Sequence, residues 1–211
     1  MAKISFVSDV VCPWCAIGLH SLLLAMKNLR MPADLHFEPF ELNPDMDPQG
    51  EDVAEHISRK YGSSPQQFAQ SQEMIRGRGA EVGFHFDMDK RTRIYNTFDA
   101  HRLLHFAEQE GKQLPLKKAL FAAYFGAGAN ISDPILLTDI AAGAGLDPGI
   151  VQEILASDRF AAEVRAREEF YRRQGIQGVP AIIINDRHLI EGGQPVSVFE
   201  KILRQLGVAA A

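Results

Sequence analysis

The chain contains two cysteines, Cys12 and Cys15, whose thiols are close enough in sequence to form a disulfide or to bind a metal ion together. They enclose Pro13 and Trp14 and follow an apolar, β-branched run at residues 4–11. Leucines then repeat at the spacing of one helix face, so the cysteines are predicted to lie in the first turn of a helix that follows a strand. Two thiols three residues apart at that place share a face of the helix and are within reach of a disulfide.

The predicted helix start gives the two cysteines different roles. Free backbone N–H groups and the positive end of the helix dipole favour a thiolate over a thiol at Cys12. The thiolate is the nucleophilic form, so we interpret Cys12 as the attacking sulfur and Cys15, one turn deeper, as the resolving sulfur. Pro13 suits the first helical position, where no N–H is missed. Trp14 could contact substrate or be partly buried, and the sequence favours neither.

A structural zinc site and a purely structural disulfide are two other interpretations of the cysteine pair. A structural zinc usually takes four protein ligands, so His101 and His105 would have to complete a site. A purely structural disulfide is disfavoured, because closing so short a loop removes little chain entropy. Two cysteines at this spacing beside a strand and a helix are typical of a redox motif, which is the interpretation that we favour over metal binding.

Composition and patterning bound the class of protein. The chain has 211 residues with 46% hydrophobic and 23% charged residues, which is typical of a globular domain. Its net charge of −5 does not indicate the basic surface that is typical of nucleic-acid-binding proteins. Neither a secretory signal nor an apolar run long enough for a membrane span is visible. We therefore expect a cytoplasmic protein, where disulfides are usually transient and catalytic, and the sequence does not distinguish a monomer from a homodimer.

Periodicity predicts a β-α-β opening, a long helical block and a β-β-α ending around the motif. The predicted strands are 3–9, 34–42, 181–184 and 188–191, with a tight turn at Asn185-Asp186. The predicted helices are 13–29, 52–61, 65–76, 93–110, 116–123 and one from Pro195 that ends at Gly207, with others after Asp133-Pro134, Asp147-Pro148 and Ser157 or Asp158. A helix connects the first two strands, so we expect them to be parallel with a right-handed crossover.

This order of elements, with the cysteine motif at the first strand–helix junction, resembles the thioredoxin superfamily. The long helical block resembles the insertion of its DsbA-like branch. The CPWC motif, Gly193-Gln194-Pro195, the segment 100–106 and the segment 131–134 are similar to the cytoplasmic FrnE-type members. The resemblance spans essentially the whole chain. It implies an α/β, thioredoxin-like fold in which residues 1–45 and 176–211 form one domain and residues 46–175 form an all-helical insertion subdomain.

The resemblance also implies a second part of the site at Val179-Pro180. From the residues alone a trans bond is expected, because only about 5–6% of X–Pro bonds in folded proteins are cis. The family places a cis proline in this loop, packed against the dithiol, and presents the backbone of the preceding residue to an extended substrate. We carry those expectations onto Val179 and Pro180. His101 is a further candidate for substrate contact, with a buried boundary histidine as the competing interpretation, and Asp9 could move protons near Cys15 or cap a loop.

We therefore predict a thiol-disulfide oxidoreductase that acts on protein or small thiol substrates, with glutathione as a candidate co-substrate. No Gly-x-Gly-x-x-Gly follows a strand, so electrons are expected to pass through the protein's own sulfurs with no separate cofactor and no metal. The alternative is a glutathione-dependent isomerase or transferase, similar to the kappa-class transferases and the 2-hydroxychromene-2-carboxylate isomerases. In those enzymes the second cysteine is unnecessary. The sequence does not fix the direction of exchange.

Overall fold

A computed structural model describes residues 2–47 and 49–206, apart from the side chain of Ala33. The strands are β1 Ala2–Ser8, β2 Ala33–Pro39, β3 Glu51–Asp52, β4 Arg93–Ile94, β5 Ala181–Ile184 and β6 His188–Glu191. The helices are α1 Pro13–Asn28, α2 Val53–Tyr61, α3 Pro65–Glu81, α4 Phe98–Gln109, α5 Gln113–Phe121, α6 Pro134–Gly143, α7 Pro148–Leu155, α8 Ala161–Arg173 and α9 Val196–Gln205. The β-α-β opening, the helical block and the β-β-α ending are thus confirmed.

A four-stranded sheet in the order β2-β1-β5-β6 forms the centre of the molecule. β1 pairs in parallel with β2, as predicted, and antiparallel with β5. Phe6 lies opposite Phe37 on one side and Ile182 on the other. The turn between β5 and β6 has positive φ at both Asn185 and Asp186, which is the geometry of a tight hairpin. The helix that connects β1 to β2 begins at the cysteine motif, so the central strand leads directly into the site.

Alternate residues of β1 enter two different hydrophobic cores. Ile4 and Phe6 are fully buried in a large core that includes residues of α1 and α9, two helices that contact each other. Val7 enters a smaller cluster with Tyr171 of α8 and with Phe40, Ile176 and Ala181. Each fully buried side chain of this size contributes about 1.5–3 kcal/mol. The strand before the motif is therefore fixed from both faces.

The helical block also covers the open edge of the sheet. β2 is an edge strand, whose unpaired backbone groups would otherwise be exposed. The N–H of Phe37 donates to Oε1 of Gln113 at 2.8 Å, and Nε2 of Gln113 donates to the carbonyl of Phe37 at 2.9 Å. The start of α5 is thereby bonded to the sheet. The division of the chain at residues 45/46 and 175/176 stays a prediction.

Three of the predicted boundaries that were wrong are explained by contacts between different segments of the chain. α3 continues past Arg76 to Glu81, and Gly79 allows close packing there, since a Cβ would lie 2.4 Å from the ring of Phe86. α4 begins at Phe98 and not at residue 93, because β4 pairs with β3. β2 ends at Pro39, because the chain then leaves the sheet towards Asp9.

The helix predicted over 116–123 begins earlier and ends in an unexpected conformation. It starts at Gln113 and passes into a π-helical turn, Ala122–Gly126. This turn buries Tyr124 and Phe125 completely. Such turns are rare and frequently occur at functional sites.

The remaining helix ends differ less from the prediction. Asp133 and Asp147 cap α6 and α7 as predicted, through hydrogen bonds of 2.9 Å to Ile135 and Ile150. α8 begins only after Phe160, which has a positive φ, and not at Ser157 or Asp158. Gly207, predicted to end α9, lies outside the described residues. None of the helices in the described part of the chain has the length and apolar character that a membrane crossing requires.

Candidate active site

The cysteine motif lies at the start of α1, as predicted. Cys12 is the N-cap residue in an extended conformation, and Pro13 is the first helical residue. The carbonyl of Cys12 accepts hydrogen bonds from the N–H of Cys15 at 3.1 Å and of Ala16 at 3.3 Å. Both cysteines are free thiols, with exposures of 4% for Cys12 and 0% for Cys15. Both sulfurs therefore belong to the first helical turn, with Cys15 on the buried side.

The Val179-Pro180 loop lies directly beside Cys12. The Val179–Pro180 peptide bond is cis, which confirms the expectation drawn from the family resemblance. The Cys12 thiol donates to the carbonyl of Val179, with a separation of 3.6 Å. Further along the same helix, a Cβ at Gly18 would lie 3.3 Å from Cγ of Pro180. The predicted second half of the site is thus packed against the motif.

A cleft of about 730 Å³ opens beside Cys12. Cys12, Pro13, Trp14 and Val179 line it from the thioredoxin-like side of the chain, and residues of α2 and α3 line it from the helical block. Trp14 is half-buried, packs against the main core and also lines the cleft. Cys15 is not among the lining residues. A substrate in the cleft would therefore meet Cys12 first.

A cluster of buried polar side chains lies on the inner side of the motif. Asp9 and Lys117 are fully buried, and His101 is 2% exposed. Nε2 of His101 lies 3.4 Å from Oδ1 of Asp9, which is close for charges but long for a hydrogen bond. The N–H of Leu42 donates to Oδ2 of Asp9 at 2.8 Å. Oδ1 of Asp9, Nε2 of His101 and Nζ of Lys117 have no hydrogen-bond partner among the described residues.

Burial and the neighbouring charges in this region shift the pKa values of Asp9, Cys15 and Lys117. Burial is the main cause that raises the pKa of Cys15 well above its usual value, and the hydrogen bond and charge of Cys12 add to it. The charge of Lys117 acts in the opposite direction. Burial lowers the pKa of Lys117 to about 8. Burial alone would raise the pKa of Asp9, but His101, the Leu42 N–H and Lys117 together hold it below its usual value.

The predicted site residues fall into two groups. Cys12, Pro13, Trp14 and Val179 meet at the cleft, with Pro180 directly behind them. His101 lies against Asp9 and is not among the residues that line the cleft. Its contact with substrate stays a prediction.

The two histidines of the hypothetical zinc site point to different neighbours. His101 faces Asp9, and the ring of His105 lies 5.0 Å from that of Phe160. Within residues 2–47 and 49–206, no group of three or more His, Cys, Asp or Glu side chains is arranged to hold a metal ion.

Sequence reasoning missed Lys117, although a signal was present. Lys117 precedes Leu120, Phe121 and Tyr124 at spacings of three, four and seven residues, so it shares their buried helix face. A lysine on an apolar face is unusual, because charged side chains are almost never fully buried unless they are paired. Arg91, a buried arginine in the cleft wall, was also missed: it belongs to a local cluster of basic residues with interspersed acidic ones, which the sequence alone indicates to be a solvated surface.

A family model described as a DSBA-like thioredoxin domain matches residues 3–204. The crystal structure of the probable DsbA oxidoreductase SCO1869 from Streptomyces coelicolor is similar over 100% of this chain and 92% of its own, with a TM-score of 0.91 and 29% identity. The structure of a 2-hydroxychromene-2-carboxylate isomerase has a TM-score of 0.70 at 14% identity, covering 97% of this chain and 96% of its own. The cytosolic disulfide reductase DsbM from Pseudomonas aeruginosa with GSH has a TM-score of 0.67 at 16% identity, covering 97% and 99%. At these low identities, the last two show likeness of fold alone.

Proposed function

This chain belongs to the family of DSBA-like thioredoxin domains and is a disulfide oxidoreductase, and on that premise we propose that it exchanges disulfides with thiol substrates through Cys12 and Cys15. The observation that carries the proposal is the unequal access to the two sulfurs. Cys12 lines the cleft, whereas Cys15 is fully buried beside it and has a raised pKa. One sulfur is placed to meet a substrate, and the other is placed to remain a protonated thiol until it is needed.

In the first step, the thiolate of Cys12 attacks one sulfur of a substrate disulfide. A bond forms between the Cys12 sulfur and that substrate sulfur, the substrate S–S bond breaks, and the leaving sulfur takes up a proton. Cys12 is the N-cap residue of α1, so the attacking sulfur lies at the start of the helix that also carries Cys15. The carbonyl of Val179 lies beside the attacking sulfur, where an extended substrate could pair with the Val179 backbone.

In the second step, Cys15 resolves the mixed disulfide. Cys15 loses its proton and attacks the Cys12 sulfur, and the second substrate thiol leaves. Burial opposes this ionisation, and the positive charge of Lys117 favours it. We assign Lys117 to this step as a nearby positive charge that favours ionisation of Cys15. Asp9 and His101 are its buried polar neighbours. Two electrons pass from the two cysteines to the substrate, and the same steps run in reverse oxidise a dithiol.

We further propose that the chain is one of the cytoplasmic FrnE-type members and that small thiols such as glutathione are among its substrates. The support is the resemblance at the motif and at residues 193–195, together with the likeness in fold to a cytosolic disulfide reductase solved with GSH. Fractionation of cells that express the chain tests the location. Recovery with membrane or periplasmic markers would contradict it.

A single-turnover assay tests the proposed activity. Pre-reduced protein is mixed with excess bis(hydroxyethyl) disulfide, and the loss of two hydrogens from the protein is followed by mass spectrometry. We expect the wild type to become fully oxidised and Cys12→Ser to remain reduced. Cys15→Ala should stop at a mixed disulfide. If Cys15→Ala instead retains full activity in a glutathione-dependent isomerisation or conjugation assay, the second cysteine is unnecessary and the isomerase alternative is favoured.

A further inference from the structure

Arg91 is a buried arginine in the cleft wall that has no anionic partner. It is 5% exposed and lies in the loop between α3 and β4. Its Nε donates to the hydroxyl of Tyr124 at 3.1 Å. Among the described residues, neither of its terminal nitrogens has a hydrogen-bond partner and no carboxylate forms an ion pair with it, yet neither nitrogen is sealed from solvent. Arg91 is also one of the residues that line the cleft, and its two terminal nitrogens retain free donors.

The π-helical turn at residues 122–126 holds this guanidinium in place. The Cζ atom of the guanidinium lies 5.3 Å from the centre of the Tyr124 ring and 5.4 Å from the centre of the Phe125 ring. The hydroxyl of Tyr124 in turn donates to the carbonyl of Arg93 at 3.0 Å. A stacked guanidinium with one fixed hydrogen bond has little freedom, so its two remaining donors keep a defined direction.

Another buried arginine shows what a purely structural arginine looks like in this chain. Arg102 is 4% exposed, pairs with Asp99 at 2.7 Å and donates from Nε to the carbonyl of Arg159 at 2.9 Å. Its remaining nitrogen contacts the carbonyls of Ile154 and Ser157. A buried charge is costly unless it is paired and hydrogen-bonded. The fold meets that requirement at Arg102 and leaves it unmet at Arg91.

The other charges around the cleft are also mainly positive. Lys60 donates to the carbonyl of Leu42 at 2.6 Å and to Oδ1 of Asn43 at 2.7 Å, both neutral acceptors. Arg172 lies over the ring of Phe40 at 5.5 Å, without a carboxylate partner among the described residues. The acidic residue of the lining is Glu41, which is already paired with Arg165. In a chain with a net charge of −5, this local excess of cations would attract an anion.

We propose that Arg91 binds a carboxylate of the substrate, so that the cleft selects anionic thiols and disulfides over neutral or cationic ones. The two terminal nitrogens of a guanidinium match the two oxygens of a carboxylate, and a charge-assisted pair of this kind is stronger than neutral hydrogen bonds. The inference rests on the proposed function, because the carboxylate is held in the same cleft that brings a sulfur to Cys12. It makes Arg91 a specificity-determining residue.

Three symmetrical disulfides of similar length test the proposal: dithiodipropionate, which is anionic, bis(hydroxyethyl) disulfide, which is neutral, and cystamine, which is cationic. Pre-reduced protein reacts with each in a single turnover. Each rate constant is divided by that of dithiothreitol with the same compound, which removes intrinsic reactivity. We expect the normalised preference for the anionic over the neutral disulfide to fall about 10- to 100-fold in Arg91→Met. Arg91→Lys should retain part of it, since the charge remains.

Arg173→Met is the matched control, because Arg173 is 76% exposed and pairs with Glu169. Its preference should equal that of the wild type. The ratio of two substrates is measured within one variant, so a smaller folded fraction does not change it. An unchanged ratio in Arg91→Met, or a wild type without preference for the anion, would overturn the proposal. Reaction with none of the three disulfides would overturn the proposed function instead.

A second measurement uses the wild type alone, in case Arg91→Met fails to fold. Propionate contains a carboxylate and no sulfur, so it should occupy Arg91 and slow the reaction with dithiodipropionate. Chloride at equal ionic strength controls for screening of the surface charges. Slowing by propionate beyond that by chloride supports the assignment, and equal slowing by the two anions contradicts it.

Discussion

The two sides of the cysteine motif differ in what surrounds each sulfur. On the cleft side, Cys12 lies beside the carbonyl of Val179 and is one of the residues that line the cleft. On the inner side, Cys15 is fully buried, and the charge of Lys117 acts on its thiol. In the proposed mechanism, one helical turn thus separates the capturing sulfur from the resolving sulfur. Access and buried charge, more than the spacing of the cysteines, divide these proposed roles.

The same contrast extends to the unpaired polar groups on each side. The inner side keeps unpartnered atoms on Asp9, His101 and Lys117 that solvent does not reach. The cleft side keeps the free donors of Arg91, which solvent reaches. Buried polar atoms without partners are uncommon in native proteins and call for an explanation. We connect the inner group to ionisation of Cys15 and Arg91 to recognition of substrate.

The largest effect should come from removing the buried charge on the inner side. In Lys117→Met, the pKa of Cys15 should rise further, because the opposing positive charge is gone. We expect the resolving step to slow about 10- to 100-fold, because each unit of rise in the pKa of Cys15 leaves about tenfold less thiolate. The free energy of unfolding should rise, because an unpaired buried charge is replaced by an apolar side chain of similar size. Stopped-flow decay of the mixed disulfide and thermal unfolding measure the two effects.

Lys118→Met is the control for that variant, since Lys118 is exposed on the same helix. It should change neither the resolving step nor the stability appreciably. Capture of substrate by Cys12 should slow less than resolution in Lys117→Met, because the charge of Lys117 interacts more strongly with Cys15 than with Cys12. Equal slowing of capture and resolution would show that Lys117 does not act on Cys15 selectively.

A pair of glycines in α3, a helix of the cleft wall, tests how this helix is packed, with effects of the next magnitude. In Gly79→Ala the new methyl group would meet the ring of Phe86 at 2.4 Å and the carbonyl of Phe84 at 2.7 Å. Such overpacking costs about 1–3 kcal/mol of stability. Gly77→Ala has nothing within 4 Å and should stabilise the helix by about 0.5–1 kcal/mol. Urea unfolding of the two variants should therefore give changes of opposite sign, and changes of the same sign would refute this account of the wall.

The smallest effects concern two carboxylates, one in the cleft lining and one in β3, whose pKa values shift in opposite directions. Burial, followed by the charge of Glu168, raises the pKa of Glu41 from 4.5 to about 7. Hydrogen bonds from Arg59 and His56 lower the pKa of Glu51 from 4.5 to about 2. Between pH 4.5 and 7 the folded protein binds more protons at Glu41 than the unfolded chain, so stability falls as pH rises. Between pH 4.5 and 2 the unfolded chain binds more protons at Glu51, so stability falls as pH falls.

Glutamine variants separate these two contributions. Glu41→Gln should flatten the decline between pH 4.5 and 7, and Glu51→Gln should flatten the loss below pH 4.5. Glu55→Gln, at an exposed position of α2, is the control and should leave both slopes unchanged. Unfolding midpoints in urea at a series of pH values provide the measurement. A decline that survives in Glu41→Gln would assign it to another group.

The features that the sequence predicted depend on local spacing. Two cysteines at the N-terminus of a helix, an Asn-Asp turn and Asp-Pro caps leave signatures within a few residues. The cis bond at Val179 came from the family resemblance, since chemistry alone favours trans. What the sequence did not predict arises where distant segments meet. Gly79 looks like a helix stop until Phe86 packs on it, and β3 and β4 are too short for any periodicity to register.

The polar residues of the site follow the same rule. Lys117 was detectable from its helix face, but its effect depends on Asp9 and Cys15, which are more than a hundred residues away in the chain. Arg91 became a candidate only when the cleft showed that its terminal nitrogens have no partner. A chain can indicate which residues are reactive through local pattern, whereas the pairing of charges is a property of the folded state.

Trapping of the mixed disulfide tests the division of roles between the two sulfurs most directly. Reduced Cys15→Ser and Cys12→Ser proteins are each exposed to bis(hydroxyethyl) disulfide, and the adduct is located by peptide mass mapping. We predict one adduct on Cys12 in the first protein and, on the same timescale, none on Cys15 in the second until the chain is unfolded. Adducts that form at equal rates on Cys12 and Cys15 in the folded proteins would contradict the account.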